Sequence, residues 1–205
     1  LNGKPIIEHV YEKAIQSKLL SKVVVAIDSE TTKESINCLN IVMTSDKHQS
    51  GTDRVAEVSE NYDCDIVINI QGDEPGIDPD LIDKLITLFD DPKVEMASVA
   101  STDLHKHDFT NDNVVKVNLD NENNAISFVR NNIDPEQIYY RHIGIYAYRK
   151  KTLNFFTSLD QSENEKKHSL EQLRALDNNI AIKLLISDFN HRSIDTKEDL
   201  KNYEN

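Results

Sequence analysis

The sequence predicts an α/β domain of three layers, in which a mainly parallel mixed sheet carries an antiparallel hairpin extension. Three stretches carry that expectation. Residues 1–44 read helix, strand, helix, strand, the alternation that sets parallel strands side by side with helical crossovers. Asp65 to Ile70 is a nearly uninterrupted β-branched run, the pattern of a strand covered on both faces. Val114 to Leu119 alternates in polarity, Asp120 to Asn124 is turn-forming, and Ala125 to Val129 returns, which together make a hairpin.

Size and charge bound what such a domain can do. At 205 residues the chain forms one large domain, 1–205. Acidic residues outnumber basic ones by 36 to 23, a net charge of −13, which argues against a general nucleic-acid or anionic-membrane surface. A small anionic ligand held locally remains compatible with that balance. Cys38 and Cys64 show neither CxxC nor metal-type spacing, which fits a reducing, cytoplasmic setting. No apolar run has the length of a membrane span, so no membrane insertion is expected.

The elements follow in order. Pro5 suits the first position of a helix whose apolar face is Ile6, Ile7, Val10, Tyr11, Ala14 and Ile15. Lys22 to Ile27 reads as a strand, Thr31 to Asn37 as a short helix, and Ile41 to Thr44 as a strand. A polar loop, 44–51, feeds a helix from Thr52 to Glu60 that Ser50 or Thr52 can cap. The strand from Asp65 then stops at Gly72, and Pro75 rules out its continuation. Asp78 and Pro79 start a helix reaching Phe89. Val94 to Ala100 is the next strand. His105, His107 and Asp108 form a polar cluster to which no role is assigned. After the hairpin, Arg141 to Tyr148 is a strand with Ile143, Ile145 and Ala147 on one face and His142, Gly144, Tyr146 and Tyr148 on the other. Helices from Lys151 and over Ser169 to Asp177, a strand at Ala181 to Ile186, and a final helix near residues 197–200 complete the chain.

Candidate chemistry gathers at strand ends. Gln71, Gly72, Asp73 and Glu74 sit at the carboxyl end of the opening run, the edge at which open α/β sheets bind ligands. Thr196 and Asp199 fit a capping box, so Asp195 is not needed as the helix cap. Two carboxylates, Asp73 and Asp195, each at a strand or loop end, suit a hard cation such as Mg²⁺. Taken singly, each of these positions also reads as an ordinary solvated turn, cap or strand-end residue.

Seven ordered segments change that balance: NGKPIIEHV at 2–10, HQSGTDR at 48–54, NIQGDEP at 69–75, NVVKV at 113–117, RHIGIYAYR at 141–149, SLEQLRAL at 169–176 and SIDTKEDL at 193–200. Together they make the chain resemble the 3-deoxy-manno-octulosonate (Kdo) cytidylyltransferases, or CMP-Kdo synthetases. The resemblance implies a Rossmann-like nucleotide-diphospho-sugar transferase fold and a reaction in which CTP and Kdo give CMP-Kdo and pyrophosphate for lipopolysaccharide synthesis. It implies Mg²⁺ on Asp73 and Asp195, with Gln71 beside sugar and nucleotide at the catalytic centre. Ser50, Gly51, Thr52, Arg54, Gln71 and Gly72 would line the CTP pocket. Arg130, His142, Tyr146, Glu171 and Gln172 would face the sugar, Arg130 suiting its carboxylate. A homodimer is implied as well. The alternatives are a cytidylyltransferase for another acidic sugar, such as a sialic acid, and a non-catalytic nucleotide- or sugar-binding relative.

The family opens with a strand and an Arg- and Lys-bearing triphosphate loop that precede the region matched by Leu1. The expectation is therefore that such a segment belongs to the protein but lies outside the given sequence. Smaller departures are a shorter loop after Ile133, Gly76 where the family prefers a bulky apolar residue, and His168 where it usually has Glu.

Overall fold

The computed structural model describes residues 1–37, 40–131, 133–189, 193–194 and 197–204. Helix α1 spans Ile6–Ala14, followed by β1 (Val25–Ile27), α2 (Glu30–Ser35) and β2 (Ile41–Met43). Next come α3 (Gly51–Ser59), β3 (Ile66–Asn69), α4 (Pro79–Thr87) and β4 (Met96–Ser101). The hairpin is β5 (Lys116–Leu119) and β6 (Ala125–Val129), and the long strand is β7 (Tyr140–Arg149). Helices α5 (Lys150–Ser158), α6 (Glu163–His168) and α7 (Gln172–Asp177), strand β8 (Ile182–Ser187) and helix α8 (Lys197–Glu204) follow.

The main sheet has six strands, ordered β6-β5-β7-β4-β8, with β3 also on β7. Strand β7 is antiparallel to β3, β4 and β5, while β4 and β8 are parallel. So β3, β4, β5 and β8 share one direction, and β6 and β7 run against it. The sheet is mixed, as expected, with four of its six strands in one direction, although among the described strands β4–β8 is its one parallel pairing. At ten residues, β7 is long enough to pair with β5 through its start and with β3 through its end.

Helices cover both faces. On one side Tyr146, Tyr148, Met96, Leu153, Phe156 and Leu173 pack together, and on the other Ile82, Leu85, Ala97, Ile143, Ile145 and Ala147 do. The period-2 assignment of β7 to two faces holds across a bulge. Ser98 faces Tyr146 but Val99 faces Ile143, so two extra residues of β7, Gly144 and Ile145, are accommodated.

Strands β1 and β2 form a separate parallel pair. Between β1 and β3 lies a cavity of about 800 Å³, walled by Val10 of α1, Val55 and Val58 of α3, Val24, and Ile66 and Ile68 of β3. Residues 66–68 are only half-buried, which departs from the full coverage the apolar run predicts. Helices do cover both faces of β3, and the exposure comes from its cavity-side edge. The same cavity takes in Lys22 to Val24, so only Val25–Ile27 of the expected strand is paired.

Several other expectations shift. Pro5 is the N-cap of α1, not its first residue. Lys116, a polar position of the alternating stretch, is fully buried, and its Nζ donates to the carbonyls of Asn111 (2.8 Å) and Arg130 (2.5 Å). Those two bonds take up two of the three ammonium donors, and burial lowers the pKa of the group. The helix expected over 169–177 begins only at Gln172, because Ser169 takes a left-handed conformation (φ 52°) that ends α6. Helix α6 itself opens on a capping box between Ser162 and Glu165. Among the described residues no helix is long and apolar enough to cross a membrane.

Candidate active site

The carboxyl ends of β1, β2 and β3 converge on the start of α3. Ser50 caps that helix: the Asp53 amide donates to its hydroxyl (3.2 Å) and the Ser50 amide donates back to the Asp53 carboxylate (3.2 Å). This settles the capping residue as Ser50. Thr52 is fully buried, its hydroxyl donating to Glu171 Oε2 (2.6 Å) and accepting from Asn69 Nδ2 (3.3 Å). Its side chain thus lies beneath the site and ties α3, β3 and the start of α7 together. Arg54 reaches back to the ends of β1 and β2, bonding Asp28 Oδ2 and Thr44 Oγ1 at 2.6 Å each. Gly51, Arg54, Gln71 and Gly72 all line the 800 Å³ cavity, so four of the residues assigned to the nucleotide share one space.

The acidic turn follows β3. Glu74 is buried and Asp73 half-buried. The Asp73 carbonyl accepts from the Ile194 amide at 3.0 Å, which ties the turn to the residue immediately before Asp195. Asp195 and Thr196 lie outside the described residues, so the carboxylate pair and the final cap are not described. Helix α8 reaches the same turn: a Cβ placed on Gly76 would lie 2.8 Å from the Tyr203 hydroxyl. Gly76 leaves room for that ring where a bulky residue would not.

The bulge of β7 brings the second group of residues to this turn. A Cβ placed on Gly144 would lie 3.8 Å from Gln71 Cγ and 3.9 Å from Glu74 Oε1. His142 stands just before the bulge, its ring edge-on to Phe128 (4.9 Å between centroids) and 5.5 Å from the Tyr146 ring. Tyr146 is almost wholly buried, and that burial, with a smaller contribution from Glu171, pushes its phenol pKa far up, so it stays protonated. Arg130 ends β6, where its guanidinium donates to the carbonyls of Asp112 (2.8 Å) and Ser169 (3.4 Å). It holds no ion pair among the described residues and so can meet an anion. Glu171 Oε2 accepts from Thr52, while its buried Oε1 accepts no hydrogen bond among the described residues and lies 3.7 Å from Arg174. Gln172 is buried on the first turn of α7.

Other motif residues are structural. Arg174 is buried against Glu165 in a two-bond pair (2.8 and 2.6 Å). Arg149 donates to the carbonyls of Val94, Phe89 and Asp91. In the 105–108 cluster, Asp108 is buried on Arg141 (2.8 Å) and the His105 amide (2.8 Å), while both histidines are exposed. Among the described residues no group of three or more His, Cys, Asp or Glu is disposed to hold a metal ion. A second cavity of about 580 Å³, between α3 and α5, holds none of the assigned site residues.

Two polar residues inside apolar strands were overlooked in the sequence: Asn69, which supports Thr52, and Ser98, which contacts His142 at 2.9 Å. Their signal was present, since a buried polar side chain within a strand needs a partner.

Residues 1–184 match the family model described as Cytidylyltransferase. A 3-deoxy-manno-octulosonate cytidylyltransferase of Thermodesulfovibrio yellowstonii is 40% identical over 98% of this chain and 87% of its own length. One of Pelobacter propionicus is 36% identical over 98% of this chain and 86% of its own length. Among solved structures, a CMP:2-keto-3-deoxy-manno-octonic acid synthetase complexed with CTP superposes with a TM-score of 0.90 at 33% identity, covering 98% of this chain and 86% of that one. A 4-diphosphocytidyl-2C-methyl-D-erythritol synthase from Anaerococcus prevotii (TM-score 0.64, 13% identity, 98% and 85% coverage) shares the fold.

Proposed function

This chain belongs to the cytidylyltransferase family, and from that premise we infer that it activates Kdo with CTP, giving CMP-Kdo and pyrophosphate. The anomeric hydroxyl oxygen bonds to the α-phosphorus, the bond from that phosphorus to the departing pyrophosphate breaks, and the hydroxyl proton is lost. The observation that carries this reading is the approach of Gln71 and Glu74 to Gly144, which joins the nucleotide-side turn to the strand bearing His142. Positioning is the main contribution of these residues. Gly51, Arg54, Gln71 and Gly72 line the space assigned to the nucleotide. Arg130 suits the sugar carboxylate by its fork of donors, and His142, Tyr146, Glu171 and Gln172 suit the sugar hydroxyls.

Asp73 and Asp195 are the residues we assign to Mg²⁺. The bond from Ile194 to the Asp73 carbonyl fits this, because it ties the segment leading to Asp195 to the acidic turn. Two carboxylates are a suitable donor set for that ion. When bound, it supplies charge neutralisation at the phosphate and the sugar carboxylate. A homodimer is further proposed. Ile126, 56% exposed on the sheet's edge strand β6, is the kind of surface a second copy covers. The unpatterned cysteines support a cytoplasmic location, and the product would serve as the sugar donor for lipopolysaccharide synthesis.

Pyrophosphate release by the full-length protein with CTP and Mg²⁺, assayed in parallel with Kdo and N-acetylneuraminate, tests the reading. Release with Kdo and not with N-acetylneuraminate is expected, and equal release with both would overturn the sugar assignment. Asp73→Asn should lower kcat at least about 100-fold while the melting temperature holds; unchanged turnover would remove the metal role.

A further inference from the structure

Lys116 opens β5 between two partners, Val129 of β6 and Arg141 of β7, and is fully buried. Val115 and Val117 on either side of it pack with Tyr146 and Phe128, so the alternation of the strand turns Lys116 to the other face. From there its ammonium donates to the main chain of two separate segments, at the Arg130 carbonyl (2.5 Å) and the Asn111 carbonyl (2.8 Å). Arg130 lies just past Val129, the last paired residue of β6.

The side chain of Arg130 returns to the same turn. Its guanidinium donates to the carbonyl of Asp112 (2.8 Å), the residue after Asn111, and to that of Ser169 (3.4 Å). The turn is fixed in itself: the Val114 amide donates to the Asn111 carbonyl (3.2 Å), and the Asn113 amide to Asn111 Oδ1 (3.0 Å). One ammonium therefore ties the backbone of Arg130 to Asn111, while the guanidinium of that arginine grips the next carbonyl. Backbone and side chain of Arg130 are clamped on one turn, by bonds that a charged donor makes stronger than neutral ones. Two of the five guanidinium N–H donors go to these carbonyls, and a forked grip on a carboxylate needs two more.

We propose that Lys116 is a positioning residue for Arg130, aiming its guanidinium at the sugar carboxylate. This rests on the reading above that Arg130 meets that carboxylate. Lys116 itself touches no part of the substrate and acts through the Arg130 carbonyl.

The first readout needs no substrate. In the ¹⁵N-labelled protein at pH 6, the Arg130 Nε–H signal is the one lost in Arg130→Met, and its heteronuclear NOE should report an ordered guanidinium. Lys116→Met should loosen it. The second readout is kinetic. Lys116→Met should raise KM for Kdo about tenfold, the effect of one misplaced hydrogen-bonding group. Its kcat should stay within about twofold, with KM for CTP unchanged. Lys116→Arg, which keeps charge and donors, should recover most of the order and of the KM. In the Arg130→Met background, Lys116→Met should change KM for Kdo by less than about twofold, because the group it positions is gone. A mobile Arg130 signal in the unaltered protein, an undiminished order in Lys116→Met, or an equal rise in KM in both backgrounds overturns the proposal. If Lys116→Met fails to fold, the Arg130 signal of the unaltered protein and of Lys116→Arg still decides. Absence of Kdo turnover in the unaltered protein, with an ordered guanidinium that loosens in Lys116→Met, would defeat the functional reading and leave the hold of Lys116 on Arg130 standing.

Discussion

All six residues of β4 are buried, and Ile143, Ile145 and Ala147 of neighbouring β7 are fully enclosed; in β1, β2 and β3 only Val25, Ile27 and Asn69 are buried. The first group forms the middle of a continuous sheet with helices on both faces. The second borders a cavity of about 800 Å³. The candidate site straddles the two. His142, Tyr146 and Arg130 stand on or beside the dense half, while Ser50, Gly51, Arg54 and the acidic turn belong to the open half. The sugar recognition proposed for those three residues, which depends on hydroxyl geometry, would thus fall on the better-packed scaffold. The open half holds its loops by polar ties, Arg54 to Asp28 and Thr44 among them.

One like-for-like pair of substitutions can break this comparison. Ile145→Ala removes a fully enclosed side chain and should cost toward the upper end of the ~2–5 kcal/mol seen for such truncations. Ile68→Ala removes a half-buried side chain already beside the cavity and should cost only about 1 kcal/mol. Urea unfolding of both variants measures the difference. Equal costs would mean that the two halves are packed alike. Hydrogen exchange should agree, with β1 amides opening at lower free energy than those of β4.

The same contrast explains what was legible in the sequence. Period and β-branching located every strand, because those patterns report burial directly, and the β7 faces were assigned residue by residue. What escaped depended on partners distant in sequence. Nothing local to Lys116, a polar position of an alternating strand, announces the carbonyls of Asn111 and Arg130 that hold it. Ser98 contacts His142, 44 residues away in the chain. Thr52 looked like a cap, and its ties to Asn69 and Glu171 span 17 and 119 residues. Helix α6 was different: Ser162 and Glu165 carry the capping-box spacing in plain sequence, and the signal was passed over. At the site, the resemblance supplied the residue roles, and the fold supplied the convergence of the acidic turn on Gly144.

A smaller effect tests the polar rim of the dense half. For Asp108, burial works to raise the pKa, but the His105 amide and the Arg141 guanidinium outweigh it and the net shift is downward. The carboxylate is therefore favoured in the folded state. Its stabilisation is present above the unfolded value, about 4, and is lost as pH falls through the lower folded value. Arg141→Met should cost about 2–3 kcal/mol at pH 7, less than the ~3–5 kcal/mol of a fully buried pair, because Arg141 is 19% exposed. The cost should shrink below pH 4 as Asp108 takes up a proton. Thermal unfolding of both proteins from pH 7 to pH 3 reads this, and a pH-independent cost would show that the charge of Asp108 is not what Arg141 serves.

The smallest effect lies where α8 meets the acidic turn on the open half. The 2.8 Å between a Cβ on Gly76 and the Tyr203 hydroxyl is too short for an undisturbed contact, while the next ring atom is 3.7 Å away and tolerable. Gly76→Ala should therefore cost about 1 kcal/mol through overpacking, and the cost should vanish when Tyr203→Phe removes the hydroxyl. The double-mutant cycle, read by thermal unfolding, isolates that contact from any change in backbone entropy, which both backgrounds share. A coupling near zero would mean that α8 yields freely, and that the open half includes the clasp on the acidic turn as well as the strands beside the cavity. A coupling near the full cost of Gly76→Ala would instead make α8 a fixed support of the turn that carries Asp73.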